Sequence, residues 1–412
     1  MNMHASKQWD SSYVARAIGV AVVLLTASVT LFSQQEVPAA GTATPANWQP
    51  KFEFNGELFP SFVLSMNGRA SNVLTTPEQR AGVWWVGDQA PMAAVAIRPE
   101  APNAKVHVAV QIDGFTDLST IDAVLPQAGQ IYIVSPVLRY NYTHLASVDQ
   151  SVPATVTYAV RLNDTDLGQR TLSVRVRSVN DVPLGMLRSN GTYQDLTYLF
   201  AGYVNESHPF VQTILQEALA SKVVNAFDGY QKDQKNVVSQ VFAVWYVLQQ
   251  HGLHYSSITT SSASSASGHV ASQAVRFIDQ SVESQQANCV DGSVLFASVL
   301  YKIGIKPVLV LIPGHMFMGF SASKDDQKDI HFLETTMIGA GEQSKSKEVS
   351  WEQFVAAVNF AGHEFAEKAK PGLSEHKQGY AMIDVAKARR DGVNAIPHFS
   401  NTTKASALPS AR

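Results

Sequence analysis

The chain has little cysteine and little charge. Cys289 is the only cysteine in 412 residues, so no internal disulfide forms, and the residue is either a free reactive thiol or a small buried side chain. Charged residues make up 16% of the chain, the net charge is -3, and no basic run is longer than Arg389-Arg390. Because nucleic-acid binding requires a clustered basic surface, this composition argues against DNA and RNA as partners.

Patterns typical of metal sites are missing as well. His251 and His254 are three residues apart, but no third ligand with suitable spacing accompanies them. His363-Glu364 lacks the second histidine that a metalloprotease helix carries four residues after the first. The sequence therefore predicts neither a metal site nor a cofactor.

Charge is absent from residues 17–35, which are rich in Val, Leu, Ile and Ala and follow Lys7 and Arg16. A segment of this length fits both a secretory signal peptide and a single membrane anchor, and Val37-Pro38-Ala39 provides a small-residue cleavage site. In either case the remaining chain is exported. We expect residues 1–35 to be the signal peptide or anchor and residues 36–50, rich in Pro, Ala and Thr, to be a linker.

The shortage of cysteine favours a bacterial envelope protein over an animal secreted one. We therefore expect a periplasmic or envelope location, either anchored in the inner membrane through residues 17–35 or released after signal cleavage. The expected partners are the membrane, through this segment, and a protein or peptide substrate in the cell envelope.

Short runs that alternate apolar and polar residues fill the first half of the chain after the linker. They lie at residues 83–86, 93–97, 106–112, 131–133, 156–160 and 171–176. The last two are joined by a polar segment that predicts a hairpin. Several short strands at this spacing predict a β-sandwich over residues 51–185, of the immunoglobulin-like kind.

The second half has helical periodicity. One helix is predicted to start at Ser207-His208-Pro209, a second carries Val237 and Trp245, and a third spans residues 351–369. Residues 256–267 are nearly all Ser, Thr and Ala, which predicts a loop, and we expect it either to border the functional site as a lid or to have no role. We predict one α+β domain over residues 190–395 and a disordered tail over residues 396–412.

Cys289 lies at the start of a predicted helix. Asn288 is an N-cap residue, Asp291 stands at the position that completes a capping box, and apolar residues then repeat at helical spacing up to Gly304. Cys289 therefore falls on the first turn. The unpaired N–H groups and the helix dipole at that end favour a thiolate, which is the nucleophilic form.

His315 and Glu334 belong to two short strands that follow this helix. The polar segment between the strands predicts a hairpin, and a turn centred between Lys324 and Asp325 places Glu334 opposite His315. A carboxylate beside an imidazole fixes its tautomer and stabilises the imidazolium form. Cys289 as nucleophile, His315 as base and Glu334 as orienter form the arrangement of covalent acyl transfer, with N–H groups at the helix start available to an oxyanion.

This stretch resembles the core of the transglutaminase-like superfamily, whose fold is related to that of papain-like cysteine proteases. The resemblance covers residues 236–341 and is carried by Cys289-Val290-Asp291-Gly292, His315-Met316-Phe317 and Glu334-Thr335-Thr336. It implies that Cys289, His315 and Glu334 are the catalytic residues of a papain-like α+β domain. Gln285, Gln286 and Tyr255 are further candidates for stabilising the oxyanion, although an ordinary polar surface role is the preferred interpretation.

Two functions remain open at this point. The first is an exported cysteine-dependent peptidase, amidase or transamidase that works through a thioester. The second is a catalytically silent envelope module that uses the transglutaminase-like fold for binding or assembly. The second is favoured by three departures from the family pattern: the acid is Glu instead of Asp, Ala287-Asn288 replaces Gly-x before the cysteine, and no tryptophan follows His315 closely.

Overall fold

A computed structural model describes residues 48–67, 72–188, 191–256, 269–324, 329–339 and 346–397. The predicted signal or anchor segment, the Ser/Thr/Ala-rich loop from residue 257 onward and the tail from residue 398 onward lie outside these residues. Of the predicted linker, only residues 48–50 are described, and they begin the first strand. Every helix in the described part is too short or too polar to cross a membrane.

The chain is an α+β protein, as the sequence predicts. Its first part consists of β1 (Trp48–Phe52), β2 (Glu57–Leu58), α1 (Pro60–Met66), β3 (Val73–Arg80), β4 (Val83–Asp88), β5 (Ala93–Ile97), β6 (Ala104–Ile112), β7 (Ser119–Leu125), β8 (Tyr132–Ser135), α2 (Tyr142–Ala146), β9 (Val152–Leu162) and β10 (Thr165–Val176).

The strands of this first part form two five-stranded sheets. Their orders are β1-β5-β8-β4-β3 and β2-β10-β9-β6-β7. Residues that alternate along β6 and β9 are buried in one core, which also contains Val95 and Val134 of the other sheet. Two pairs, β2 with β10 and β4 with β8, are parallel, and the other pairs within these two sheets are antiparallel. The predicted hairpin is confirmed by the antiparallel pairing of β9 and β10.

The second part consists of β11 (Asp181–Leu187), β12 (Tyr193–Asp195), α3 (Pro209–Ala220), α4 (Gln234–Gln250), β13 (His254–Tyr255), β14 (Val270–Ala274), α5 (Ile278–Ser284), β15 (Gln286–Ala287), α6 (Cys289–Lys302), β16 (Pro307–Ile312), β17 (His315–Ser321), β18 (Ile330–Leu333), α7 (Lys347–Glu364), α8 (Lys370–Ser374), β19 (Ala381–Asp384) and α9 (Val385–Arg390). Short 3-10 turns cover Phe54–Gly56, Thr197–Tyr203 and Thr335–Met337, and a π turn covers Phe365–Ala369.

A four-stranded antiparallel sheet with the order β18-β17-β16-β19 is the centre of this second part. Its residues alternate between two cores. Leu309 and Met318 belong to the same core as α6, whereas Val310 and Phe317 pack with Ala361 and Phe365 from α7 and the π turn. Because helices cover both faces, the strands are mostly apolar, and α6 packs against β16 and β17.

The two parts meet at β11. This strand pairs with β14 of the second part, so it crosses the predicted boundary between residues 185 and 190. Beside it, the buried Arg177 donates to Asp181, Glu57 and Ser272 at 3.0, 3.3 and 3.3 Å. A buried charge is stable only when such partners surround it, and these partners come from both parts. Ile396, which we predicted to begin the disordered tail, is instead buried, and its N–H donates to the backbone oxygen of Gly202.

Candidate active site

The first turn of α6 is built as the sequence predicts. The Asn288 side-chain oxygen accepts the N–H groups of Val290 and Asp291 at 2.8 and 2.9 Å, and the Asp291 carboxylate accepts the N–H of Asn288 at 3.0 Å. This is a complete capping box, and it confirms the predicted helix start. Cys289 is the first helical residue and is half-buried.

Asp291 anchors this turn to the chain before α5. Its carboxylate accepts the backbone N–H of Arg276 at 2.8 Å and the guanidinium of Arg276 at 3.1 Å. Burial raises the pKa of Asp291, and the hydrogen bonds from Asn288 and Arg276 oppose that rise. With both oxygens occupied in this way, the acid two residues after the cysteine holds the helix start in place.

A tight hairpin places His315 at the start of β17. Ile312 and His315 are paired across Pro313-Gly314, and Gly314 has φ +77°, a conformation that glycine adopts without strain. The imidazole nitrogen Nε2 of His315 lies 2.7 Å from Oε2 of Glu334. The structure therefore brings the predicted histidine and acid together.

The strand register that we predicted for this pair is wrong by two residues. Equidistance from Lys324 and Asp325 would pair Met318 with His331, whereas Met318 pairs with Leu333. Glu334 consequently lies just beyond the last paired residue of β18 and reaches His315 diagonally. The side chains stay on the predicted face because a shift of two residues preserves the alternation of a strand.

Cys289 completes the group through His315. Burial by itself lowers the pKa of His315, but hydrogen bonds to the side chains of Cys289 and Glu334, together with their charges, outweigh burial and raise the pKa to about 10. Since Glu334 occupies Nε2, the other ring nitrogen, Nδ1, is the one left for the thiol. The imidazole is 27% exposed, so this side of the group is accessible from solvent.

Glu334 is almost completely buried, with 1% of its side chain exposed. Oε1, the oxygen that does not face His315, accepts the backbone N–H of Thr336 at 3.0 Å and its hydroxyl at 2.6 Å. The backbone N–H of Glu334 donates to Ala357 of α7. The acid is thus fixed at both ends of the residue.

Gly292 allows α6 to approach the turn that follows Glu334. A Cβ atom at this position would lie 2.7 Å from Oγ1 and 3.1 Å from Cβ of Thr335, which is closer than packed atoms tolerate. The missing side chain therefore lets the cysteine helix pack directly against Thr335, the residue that follows the acid.

Tyr255 lies beside the cysteine because β13 pairs in parallel with β15, which places Tyr255 next to Ala287. Its side chain is 47% exposed. Burial raises the pKa of Tyr255, and the charges of Cys289 and Glu334 raise it further. The Tyr255 phenol therefore keeps its proton at neutral pH and can donate a hydrogen bond.

The other candidates for oxyanion stabilisation are less well placed. The side-chain amide of Gln285 donates to the backbone of His251 at 2.7 Å, so it points toward the end of α4. The N–H groups of Val290 and Asp291 are both taken by Asn288. Among the residues that the structure describes, none accepts the N–H of Cys289, which leaves that group available.

Sequence reasoning missed two polar residues that support the site. Thr336 binds Glu334, and Gln249 donates to the backbone of Ile338 at 2.9 Å and accepts the hydroxyl of Ser350 at 2.6 Å. Gln249 carried a detectable signal, because it lies four residues after Trp245 on the apolar face of its helix. A buried polar residue on such a face needs partners, and here it ties α4 to the turn after Glu334.

Comparison of the chain with protein-family models gives no match, and comparison with curated proteins gives none either. The transglutaminase-like resemblance therefore stays a prediction carried by the residues named above.

Proposed function

We propose that this chain is a cysteine-dependent acyl-transfer enzyme with a transglutaminase-like, papain-related second domain. One observation carries the proposal: the only cysteine begins a capped helix and shares a histidine with a buried carboxylate. Covalent acyl transfer requires a nucleophile, a base and an orienter, and Cys289, His315 and Glu334 supply these three groups.

The chemistry follows from this arrangement. His315 holds the proton of Cys289 Sγ as an imidazolium, and the thiolate attacks the carbonyl carbon of an amide to form a C–S bond and an oxyanion. When the oxyanion collapses, the C–N bond breaks and the departing amine takes the proton from His315, which leaves a thioester on Cys289. Water or a second amine then attacks the thioester, His315 again moves the proton, and the thiol is restored.

Two donors are available for the oxyanion. They are the backbone N–H of Cys289 and the hydroxyl of Tyr255, which lies beside Ala287. Donors that are held in place before the reaction lower the barrier because they need no reorganisation when charge develops. We include Tyr255 in the proposed site on this ground.

The finer fold assignments belong to the same proposal. The two packed sheets of the first part support an immunoglobulin-like sandwich, although the parallel pairs β2–β10 and β4–β8 are additions to a purely antiparallel pattern. The cysteine helix α6 packs on an antiparallel sheet, and His315 begins β17, the second strand after that helix. This order supports a papain-like second part. An exported location and a protein or peptide substrate in the cell envelope rest on residues 17–35 alone.

The experiment is acylation by p-nitrophenyl acetate, an activated ester that needs no knowledge of the natural substrate. We expect a burst of one p-nitrophenol per chain and a mass increase of one acetyl group on Cys289, and we expect Cys289→Ala to abolish both. Adding a primary amine separates hydrolysis from transamidation, because only a transamidase passes the acetyl group to the amine. A wild-type chain without burst or adduct would contradict the proposal and favour the binding module.

A further inference from the structure

The hydroxyl of Thr336 contacts the proposed catalytic group only through Glu334. Oε2 of Glu334 faces His315 at 2.7 Å, and Oε1 receives two donors from one residue, the N–H and the hydroxyl of Thr336. The hydroxyl bond, at 2.6 Å, is the shorter of the two, which is typical of a bond to an ionised carboxylate.

We infer that Thr336 is a positioning residue, whose hydroxyl holds the Glu334 carboxylate in the orientation that accepts the hydrogen bond from Nε2 of His315. The inference rests on the proposed function for the identity of the nucleophile. It adds a residue that contacts neither substrate nor thiol and acts only through Glu334.

The length and burial of Glu334 explain why such a residue is needed. A glutamate has one more rotatable bond than an aspartate, and its terminal torsion is broad, so each donor to Oε1 restricts how far the carboxylate can turn. Glu334 is 1% exposed, so no bulk water replaces a lost donor. Removing the hydroxyl leaves Oε1 with only the backbone N–H of Thr336, and the carboxylate is then held less firmly in the orientation that faces His315.

The effect is expected to reach Cys289 through His315. The described titratable groups that face His315 are Cys289 from α6, Glu334 from the end of β18 and, beside them, Tyr255 from β13. A Glu334 carboxylate that is turned away from Nε2 stabilises the imidazolium less. The imidazolium population then falls, and the thiolate loses part of its stabilisation in turn. The rise of thiolate reactivity with pH should then begin at a higher pH.

Thr335 offers a matched control at the neighbouring position. Thr335 is buried, whereas Thr336 is partly exposed, and the hydroxyl of Thr335 has no hydrogen-bond partner among the described residues and lies against Gly292. Thr335→Val thus removes a hydroxyl that binds nothing, whereas Thr336→Val removes the one that binds Glu334. Thr336→Ser keeps the hydroxyl and loses only a methyl group.

The experiment measures the rate of iodoacetamide reaction against pH, using the full chain in mild detergent, where Cys289 is the only target. For Thr336→Val we expect the acid limb to move up by about half a pH unit, which is roughly a threefold slower reaction on that limb. Thr336→Ser and Thr335→Val should follow the wild type. An unshifted Thr336→Val profile, or an equal shift in Thr335→Val, would overturn the inference.

A double variant keeps the test decisive if Thr336→Val lowers stability. Because Thr336 acts through Glu334, adding Thr336→Val to Glu334→Gln should produce no further shift, whereas independent effects would add and refute the inference.

His315→Ala distinguishes a failure of the proposed function from a failure of this inference. Identical profiles for wild type and His315→Ala, near the free-thiol pKa of about 8.5, would overturn the proposed function and this inference together. An activated wild type with an unaffected Thr336→Val would overturn this inference alone.

Discussion

Histidine–carboxylate pairs of nearly equal length occur in both parts of the molecule, but their acids differ in burial. In the sandwich, His107 on β6 lies opposite Asp122 on β7, with Nδ1 and Oδ1 2.8 Å apart. In the second part, His315 and Glu334 are 2.7 Å apart. Asp122 is 79% exposed, however, whereas Glu334 is 1% exposed. A short contact therefore does not define a site; burial of the acid and a third group at the imidazole do.

The largest expected effect is on catalysis. His315→Ala should slow acylation by p-nitrophenyl acetate by about a thousandfold at pH 7, because the thiol loses its base and its counterion. His107→Ala removes the same kind of pair from the sandwich and should leave the rate within about twofold. Comparable losses in both variants, or none in His315→Ala, would show that the two pairs are equivalent and that the comparison is wrong.

A smaller effect should appear in the pH dependence of stability. The pKa of His315 is raised to about 10 in the folded chain, above its ordinary value of about 6.5. A group whose pKa is raised by folding contributes stabilising free energy. This contribution is fully present below the pKa of the unfolded chain and is lost as the pH rises through the pKa of the folded chain. The gap in unfolding free energy between wild type and His315→Ala should therefore be a few kcal/mol at pH 6 and should shrink as the pH rises through about 10.

Urea unfolding at pH 6 and above pH 10 measures this gap. His107→Ala is again the control, and it should change the free energy of unfolding by less than about 1 kcal/mol at either pH, since exposed ion pairs contribute little. A gap for His315→Ala that stays constant between the two pH values would mean that the imidazole is not stabilised as a cation.

The smallest expected effect concerns the packing that joins α6 to the acid. Gly292→Ala places a Cβ against Thr335 and should lower the free energy of unfolding by about 1–3 kcal/mol, as overpacking does. Gly362→Ala is a matched control on α7, where a Cβ meets nothing within 4 Å, and it should raise stability by up to about 1 kcal/mol because alanine favours a helix. Equal responses of the two variants to urea would remove the close approach at Gly292 as a structural requirement.

The parts of the site that the sequence predicts correctly are local. The start of α6 depends on Asn288, Cys289 and Asp291, which are adjacent in sequence, and their roles as cap and first turn follow from side-chain chemistry. The face of His315 also follows locally, because strand alternation fixes it. The exact pairing of β17 with β18 does not, since alternation is unchanged by a shift of two residues.

The parts that the sequence does not reveal depend on contacts between distant segments. Thr336 lies on a 3-10 turn that no periodic pattern marks, and the path of Gln285 toward His251 depends on how α4 ends. In the sandwich, alternation of apolar and polar residues predicts the strands but not their direction relative to a neighbour. The parallel pairing of β4 with β8 therefore cannot be predicted from the sequence pattern. Trp48, predicted to be in a linker, lies in β1, which pairs with β5, and its side chain is buried because it packs into the core of the sandwich.

The strand that joins the two parts also sets an order for folding. β11 begins at Asp181, directly after the sandwich, but its partner residue Ala274 belongs to β14, which leaves the ribosome much later. Until β14 arrives, one edge of β11 has unpaired N–H and C=O groups, and Arg177 lacks its contact with Ser272. Until β14 has been synthesised, β11 is therefore an open strand edge beside the sandwich, where it could pair with another chain.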